Sequence, residues 1–212
     1  MEFLGFNLVD FIKAAGYTGL LGVVFAETGL FLGFFLPGDS LLFVAGFLAS
    51  QGFLNIWALV SLLFVAAVTG NILGYAFGYK IGPAIFSKED SLLFKKAHVT
   101  KAQTFYDKYG GKVVMIARFI PVVRTFAPIL AGVAKMHKPT FLFYNIAGAL
   151  VWTFGLTVLG YWLGSSIPNI DHYLLPIVGA IIIISILPGV VHYLQERKKS
   201  QKGSVAHTIE VM

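Results

Sequence analysis

The chain has 212 residues, of which 57% are hydrophobic and only 12% are charged, and its mean hydropathy is +0.80. So few charges cannot cover the surface of a soluble domain, and the composition predicts an integral membrane protein with one domain, 1–212. The absence of cysteine excludes disulfides and thiolate metal sites, and the distribution of the net charge of +6 argues against a nucleic-acid partner.

The first apolar run, residues 14–51, is interrupted by two acids, Glu27 and Asp39. As one helix it would be about 57 Å long, well beyond the ~30 Å hydrocarbon core of a bilayer. Pro37 marks a break, and we expect each arm beside it to be too short for a full crossing. We therefore predict a first re-entrant hairpin over about 15–51, which opens to the exterior.

Three further apolar runs contain no Asp, Glu, Lys or Arg and are long enough to cross the membrane as helices: Leu54–Tyr79, Phe141–Leu163 and Tyr173–Leu194. The first of them carries a stripe of glycines at every fourth position, which continues just past its end: Gly70, Gly74, Gly78 and Gly82. Small residues at this spacing let helices approach closely in lipid, so we interpret the stripe as packing architecture rather than chemistry.

Most of the basic residues fall in three segments. Seven lysines lie in 80–112, two lie at 135–138, and four basic residues lie in the C-terminal tail 195–212. The positive-inside rule places all three segments in the cytoplasm. The lysine-rich stretch 83–112 is either an amphipathic helix on the cytoplasmic surface or a solvated loop.

The second charged run lies between two of these cytoplasmic segments. A run that starts and ends on the same side must enter and leave by one face, so we predict a second re-entrant hairpin over about 112–135. Pro121 near its middle favours a break, because proline removes a helix hydrogen bond. A single kinked span is the alternative.

The two hairpins share a weak sequence pattern, which suggests an inverted repeat. One contains Phe35-Leu36-Pro37, then Asp39, then Ala45-Gly46; the other contains Phe119-Ile120-Pro121, then Arg124, then Ala131-Gly132. Broken helices in corresponding halves are typical of transporter binding sites near the bilayer midplane. The predicted fold is thus an all-α polytopic membrane protein with two re-entrant hairpins, three full spans and an amphipathic cytoplasmic segment.

Four ionisable residues in the apolar runs are the strongest functional signal, because a charge at hydrocarbon depth is costly. Arg118 and Arg124 are expected to bind phosphate, since guanidinium groups grip its oxygens bidentately. Glu27 and Asp39 are expected to pair with them and to couple transport to protons. A purely structural ion pair is the alternative, and Asp39 is also a candidate N-cap.

Six polar residues are candidates for lining a cavity around these charges: Ser40, Asn71, Tyr75, Thr125, Tyr144 and Asn145. Asn71 and Tyr75 lie one turn apart, and Tyr144-Asn145 and Trp152 lie in a later span. The alternative to cavity lining for these residues is hydrogen bonding between helices, which we favour slightly. No metal-ligand spacing, P-loop, dinucleotide motif or nucleophile motif is present, so the sequence indicates neither a metal nor a cofactor and no enzyme activity.

Two motifs resemble signatures of the DedA family, also called the VTT or SNARE-associated Golgi protein family. The first is Glu27-x-Gly29 followed by Phe35-Leu36-Pro37-Gly38-Asp39-Ser40-Leu41-Leu42. The second comprises Phe105-Tyr106-Asp107-Lys108-Tyr109-Gly110-Gly111-Lys112, Arg118-Phe119-Ile120-Pro121-Val122-Val123-Arg124-Thr125 and Ala131-Gly132. The resemblance covers roughly residues 15–165 in order. It departs from the family pattern at Asn71, where Asp is common, and at Lys80, where Arg is common.

The resemblance implies a bacterial cytoplasmic-membrane protein with two re-entrant hairpins in an inverted repeat. Members of the family are implicated in returning undecaprenyl phosphate, the lipid carrier of wall synthesis, across the membrane. Others are linked to envelope integrity, proton-motive force and resistance to cationic peptides, and eukaryotic relatives scramble phospholipids. The family's essential acids and arginines fall on Glu27, Asp39, Arg118 and Arg124.

We therefore expect a lipid-phosphate flippase that recycles undecaprenyl phosphate, is coupled to protons and has a cytoplasmic C-terminus. A proton-coupled small-ion or drug transporter and a general phospholipid scramblase are the alternatives. An intramembrane lipid phosphatase ranks last, because no nucleophile or metal set is evident. The expected partners are a membrane lipid and protons, and a homo-oligomer is compatible with the sequence.

Overall fold

The computed structural model describes residues 2–3, 6–29, 38–86, 104, 106 and 108–166. Apart from a two-residue antiparallel pairing of β1 (Glu2–Phe3) with β2 (Phe6–Asn7), the regular structure of these residues is helical. The helices are α1 (Leu8–Gly29), α2 (Gly38–Ser50), α3 (Ile56–Phe86), α4 (Lys112–Ala117), α5 (Pro121–Val133) and α6 (Lys138–Ser166).

Three of these helices contain stretches long and apolar enough to cross a membrane: Val9–Gly29, Ile56–Ile81 and Lys138–Ser166. The second and third confirm the spans predicted at 54–79 and 141–163. The span predicted at 173–194 lies outside the described residues, as do the whole basic tail and most of the lysine-rich stretch. The helical membrane-protein class is therefore confirmed.

The predicted break in the first charged run is present, but one arm is longer than expected. Helix α1 has 22 residues and ends at Gly29, and α2 begins at Gly38 with 13 residues. The expectation that both arms are too short for a crossing is wrong for α1, because this helix begins at Leu8, upstream of the apolar run. It is kinked at Gly16, whose φ of 54° suits glycine. Helix α2, by contrast, spans only about 20 Å.

The second charged run is broken where proline predicts it. Helix α4 ends at Ala117, residues 118–120 form a turn, and Pro121 occupies the first turn of α5. Proline fits that position because its missing N–H would have no helical partner there. The break does not decide between a hairpin and a single kinked span, because either could contain it. The re-entrant course of both hairpins stays a prediction.

A glycine-mediated crossing joins α5 to α3. A Cβ on Gly78 would collide with the backbone carbonyl of Ile129, and a Cβ on Gly132 would collide with that of Tyr75. Glycine is required at both positions because the two backbones touch. Gly70 and Gly74 also face neighbouring helices of the bundle. The interpretation of the glycine stripe as packing architecture is therefore confirmed for Gly70, Gly74 and Gly78.

A second crossing, between α2 and α6, has the same construction. A Cβ on Gly46 would meet the carbonyl of Thr157, and a Cβ on Gly160 would meet that of Phe43. In both crossings each glycine faces the residue three positions before the partner glycine. The short helix of each predicted hairpin thus packs against the long helix that follows the other hairpin.

The polarity of the packed helices is the reverse of that in a soluble protein. Large apolar side chains are exposed, among them Trp57, Phe143 and Trp162 at 60–70% of their area. Inside lie five charged and amide side chains of the apolar segments, as expected when lipid surrounds the helices: Glu27, Asn71, Arg118, Arg124 and Asn145. The buried side chain of Tyr106 donates its hydroxyl proton to the Ala127 carbonyl at 2.8 Å. Burial raises the pKa of this hydroxyl, so it stays protonated and remains a hydrogen-bond donor.

Candidate functional site

The four predicted charges come together inside the helical bundle. Glu27 lies in the last turn of α1, Asp39 in the first turn of α2, Arg118 in the α4–α5 turn and Arg124 in the first turn of α5. Glu27, Arg118 and Arg124 are at most 5% exposed, and Asp39 is partly buried. Burial of this kind demands partners, because an unpaired ion in a dry interior costs several kcal/mol.

Arg124 is held by both acids. Its Nη2 pairs with Glu27 Oε1, and its Nη1 donates to Asp39 Oδ1 at 2.6 Å. The acids belong to the first predicted hairpin and the arginine to the second, so this ion-pair triad joins the two. In this structure Arg124 therefore matches the structural ion pair that the sequence left as an alternative.

Helix ends contribute to the same triad. Glu27 Oε1 accepts the backbone N–H of Gly38 at 3.2 Å, and Asp39 follows in the first turn of α2, where a helix dipole stabilises negative charge. Arg124 lies in the first turn of α5, where the dipole disfavours a cation. The two acids offset that penalty. A Cβ on Gly38 would overlap the Glu27 carboxylate, so any larger residue there would force the carboxylate to shift.

Trp152 contacts the triad. The sequence indicated either a cavity-lining or an interhelical role for it, without assigning it to the charged site. Its indole Nε1 donates to Asp39 Oδ1 at 2.8 Å, and its ring centroid lies 5.2 Å from Arg124 Cζ and 5.9 Å from Arg118 Cζ. An indole buried mid-helix needs a partner for its N–H, and Trp152 falls two turns after Asn145 on the same face. That position was the available signal.

Arg118 has neutral partners. Its Nη2 donates to Asn145 Oδ1 at 2.6 Å and to the Ala67 carbonyl at 3.1 Å. Asn145 is fixed in turn by donating to the Val68 carbonyl at 3.1 Å. Among the described residues, no carboxylate pairs with Arg118.

Asn71 is the second amide beside Arg118. With its amide turned so that the nitrogen donates to the Thr28 carbonyl at 3.2 Å, its oxygen lies 2.9 Å from Arg118 Nη2. In the opposite orientation the Asn71 nitrogen donates to Asn145 Oδ1 at 3.0 Å, but it also faces the guanidinium nitrogen of Arg118. The first orientation gives up that bond and places the two amide oxygens 3.0 Å apart, both directed at Arg118 Nη2. We favour the first orientation, because it faces an acceptor toward the cation and satisfies a backbone carbonyl.

Several buried polar atoms in this region have no hydrogen-bond partner among the described residues: Arg118 Nε and Nη1, Arg124 Nε, Glu27 Oε2 and Thr125 Oγ1. Buried polar groups are satisfied in most proteins, so such a cluster marks a place where a ligand or water belongs. Two of the five atoms are on Arg118, which is 2% exposed.

The remaining predicted residues divide into two groups. Ser40 and Thr125 are buried beside Asp39 and Arg124 in the sequence, and Asn71 and Asn145 contact Arg118. Tyr75 instead donates to the Met136 carbonyl at 2.5 Å and stacks on Phe141, and Tyr144 packs against Gly111. These two tyrosines serve interhelical packing. Within the described ranges, no group of three His, Cys, Asp or Glu residues could hold a metal ion.

Comparison with known proteins identifies relatives among membrane proteins. The VTT domain matches residues 36–162. Protein DedA of Escherichia coli K12 is 41% identical over 190 residues, which cover 89% of this chain and 86% of that protein. An uncharacterised membrane protein of Mycobacterium leprae is 39% identical over 199 residues, covering 92% of this chain and 89% of the relative.

A third relative, inner membrane protein YqjA of Escherichia coli K12, is 36% identical over 151 residues, which cover 71% of this chain and 68% of that protein. No solved structure matches the chain. The matched segment includes Asp39, Arg118 and Arg124 and both glycine crossings. The chain therefore belongs to the VTT domain family of membrane proteins, the family of DedA.

Proposed function

We propose that this protein carries a lipid phosphate across the bacterial cytoplasmic membrane, with undecaprenyl phosphate as the expected cargo and protons as the coupling ion. One observation carries the proposal: Arg118 is a buried cation with neutral partners, and two of its guanidinium nitrogens have no hydrogen-bond partner among the described residues. A phosphate headgroup offers the charge and the acceptor oxygens that this guanidinium lacks.

The ion-pair triad supplies the second element of the mechanism. With no substrate bound, Glu27 and Asp39 neutralise Arg124. Protonation of either acid, or the arrival of a negative headgroup, weakens the triad and releases Arg124 toward the phosphate. Both arginines then hold the headgroup while the polyprenyl tail stays in lipid.

The two broken helices are the elements expected to expose the site alternately. The first turns of α2 and α5 meet at the bond between Asp39 and Arg124, as half-helices do at the binding sites of transporters built from inverted repeats. The matching glycine crossings support that symmetry, because each short helix packs against the long helix following the other. Rocking of one hairpin against the other would open each face in turn, with the C-terminus in the cytoplasm.

A sidedness assay tests the proposal. Vesicles containing the protein and undecaprenyl phosphate are treated from outside with an impermeant phosphatase, which reaches only outward-facing headgroups. We expect hydrolysis to proceed past the outer leaflet with the native protein and to stop there with the Arg118→Gln/Arg124→Gln variant. The Lys112→Gln variant, which removes an exposed cation, is the matched control.

The outcomes separate the competing functions. Unchanged transport by the double-arginine variant overturns the proposal. Equal movement of a phosphodiester lipid indicates a general scramblase, and substrate-dependent proton flux in vesicles without lipid phosphate indicates a small-ion or drug transporter. Phosphate release without added phosphatase indicates an enzyme.

A further inference from the structure

Arg118 and its two asparagines raise the question of why a buried cation is given amide partners rather than acids. Asn145 Oδ1 lies 2.6 Å from Arg118 Nη2, and the Asn71 amide lies 2.9 Å from the same nitrogen. Both asparagines are at most 2% exposed and belong to the long helices α3 and α6. An acid at either position would lie within ion-pair distance of the guanidinium.

Amides and acids both accept hydrogen bonds from an arginine, but they leave the site with different charges. An amide oxygen accepts a hydrogen bond and adds no charge, whereas a carboxylate cancels the charge of the guanidinium. Beside Arg124, which has two carboxylates, the contrast is complete. The amides therefore aim Arg118 while leaving its positive charge for a ligand.

We propose that Asn71 and Asn145 are specificity-determining residues that keep Arg118 as the site's unneutralised cation, so that Arg118 receives the anionic headgroup before Arg124 does. This inference rests on the proposed function and adds an order to it. Arg118 is the receptor for the first negative charge, and Arg124 joins only after an acid releases it. The unpartnered Nε and Nη1 of Arg118 are the donors for the headgroup oxygens.

The test replaces amide by acid with almost no change in shape. In Asn71→Asp, a carboxylate stands beside Arg118 and competes with the headgroup. Binding of farnesyl phosphate to the detergent-solubilised full chain is measured by calorimetry, with farnesol as the uncharged probe. We expect the affinity for farnesyl phosphate to fall roughly 10- to 100-fold, the loss of one charge-assisted contact, and the weak binding of farnesol to be unchanged.

Two further variants isolate the effect of charge. Asn71→Leu removes the amide without adding charge and is expected to weaken binding less than Asn71→Asp does. Asn55→Asp makes the same chemical change at an exposed helix N-terminus, where Asn55 Oδ1 accepts from Trp57 and Ala58, and it should bind as the native chain does.

Thermal unfolding of each variant shows whether a loss of binding is a loss of folding. Asn71→Asp is expected to melt no lower than the native chain, because it supplies a counter-ion to a buried cation. If it fails to fold, Asn145→Asp makes the same test from α6.

Three results are decisive. Native-like affinity in both aspartate variants overturns this inference while leaving the proposed function intact, provided that Arg118→Gln loses binding. An equal loss in Asn71→Leu and Asn71→Asp also overturns it, since charge would then be irrelevant. Failure of the native chain to bind or move any lipid phosphate overturns the proposed function itself.

Discussion

Arg118 and Arg124 lie on one short segment, yet their surroundings are opposite. Both guanidinium groups lie near the ring of Trp152, but Arg124 contacts two carboxylates, whereas Arg118 contacts amide oxygens and a backbone carbonyl. Both are at most 5% exposed. Burial of a charge in a membrane helix therefore does not by itself identify its role, because the partners decide whether the charge is already neutralised.

The two environments also come from different parts of the fold. The partners of Arg124 lie on α1 and α2, so the triad ties the two broken helices together. The side-chain partners of Arg118 lie on α3 and α6, the long helices that the glycine crossings hold in place. The partners of Arg124 thus belong to the elements proposed to move, whereas the side-chain partners of Arg118 belong to the long helices.

Loss of Arg124 should have the largest effect on stability. In Arg124→Gln, Glu27 and Asp39 stay buried without their cation, which costs roughly 3–5 kcal/mol in the free energy of unfolding. Denaturant unfolding in detergent measures the loss. Adding Glu27→Gln and Asp39→Asn to this variant should recover most of it, since no orphaned charge remains. A triple variant as unstable as Arg124→Gln would mean that the triad is not the source of the effect.

The next largest effect is steric and again disturbs the surroundings of Arg124 but not those of Arg118. A methyl group in Gly38→Ala would overlap the Glu27 carboxylate, so the triad must shift, at a cost of about 1–3 kcal/mol. Gly155→Ala is the control, because nothing lies within 4 Å of a Cβ at that helical position. Unfolding free energies of the two variants are compared. Equal stability would show that the Glu27–Gly38 contact is not tight.

Trp152→Phe sharpens the comparison by removing one hydrogen bond and keeping a ring. The variant loses the indole donor to Asp39 but retains an aromatic face near both arginines, so we expect a loss of about 1–2 kcal/mol. Trp162→Phe is the matched control, since Trp162 is 60% exposed. Unfolding of both variants is followed by circular dichroism. A larger loss at Trp162 would contradict the buried role of Trp152.

The sequence predicted which residues go inside and where the helices break, for reasons of energy. A charge in an apolar run cannot face lipid, and a proline at position 121 begins a helix, so Glu27, Asp39, Arg118 and Arg124 were all found. The predicted spans and the packing role of the glycine stripe also followed from the energetics of helices in lipid.

The sequence did not predict which acid pairs with which arginine, or that Trp152 donates to Asp39. Partner choice depends on how α2 and α5 pack against α6 and α3, and that is set by backbone contacts at Gly46, Gly78, Gly132 and Gly160 that no local pattern encodes. The length of α1 was underestimated because polar residues at its N-terminal end hid its first turns. Interhelical geometry, rather than residue type, assigned the partners.

Arg118→Gln should have the smallest effect on stability and a large one on transport. Gln can still donate to Asn145 and the Ala67 carbonyl, and its neutrality removes the desolvation cost of a cation whose partners carry no charge. We therefore expect an unfolding free energy within about 1 kcal/mol of the native value, or above it. Headgroup transport, measured on the same preparation, should be lost. If Arg118→Gln instead unfolds as readily as Arg124→Gln, Arg118 is structural and the two arginines are equivalent after all.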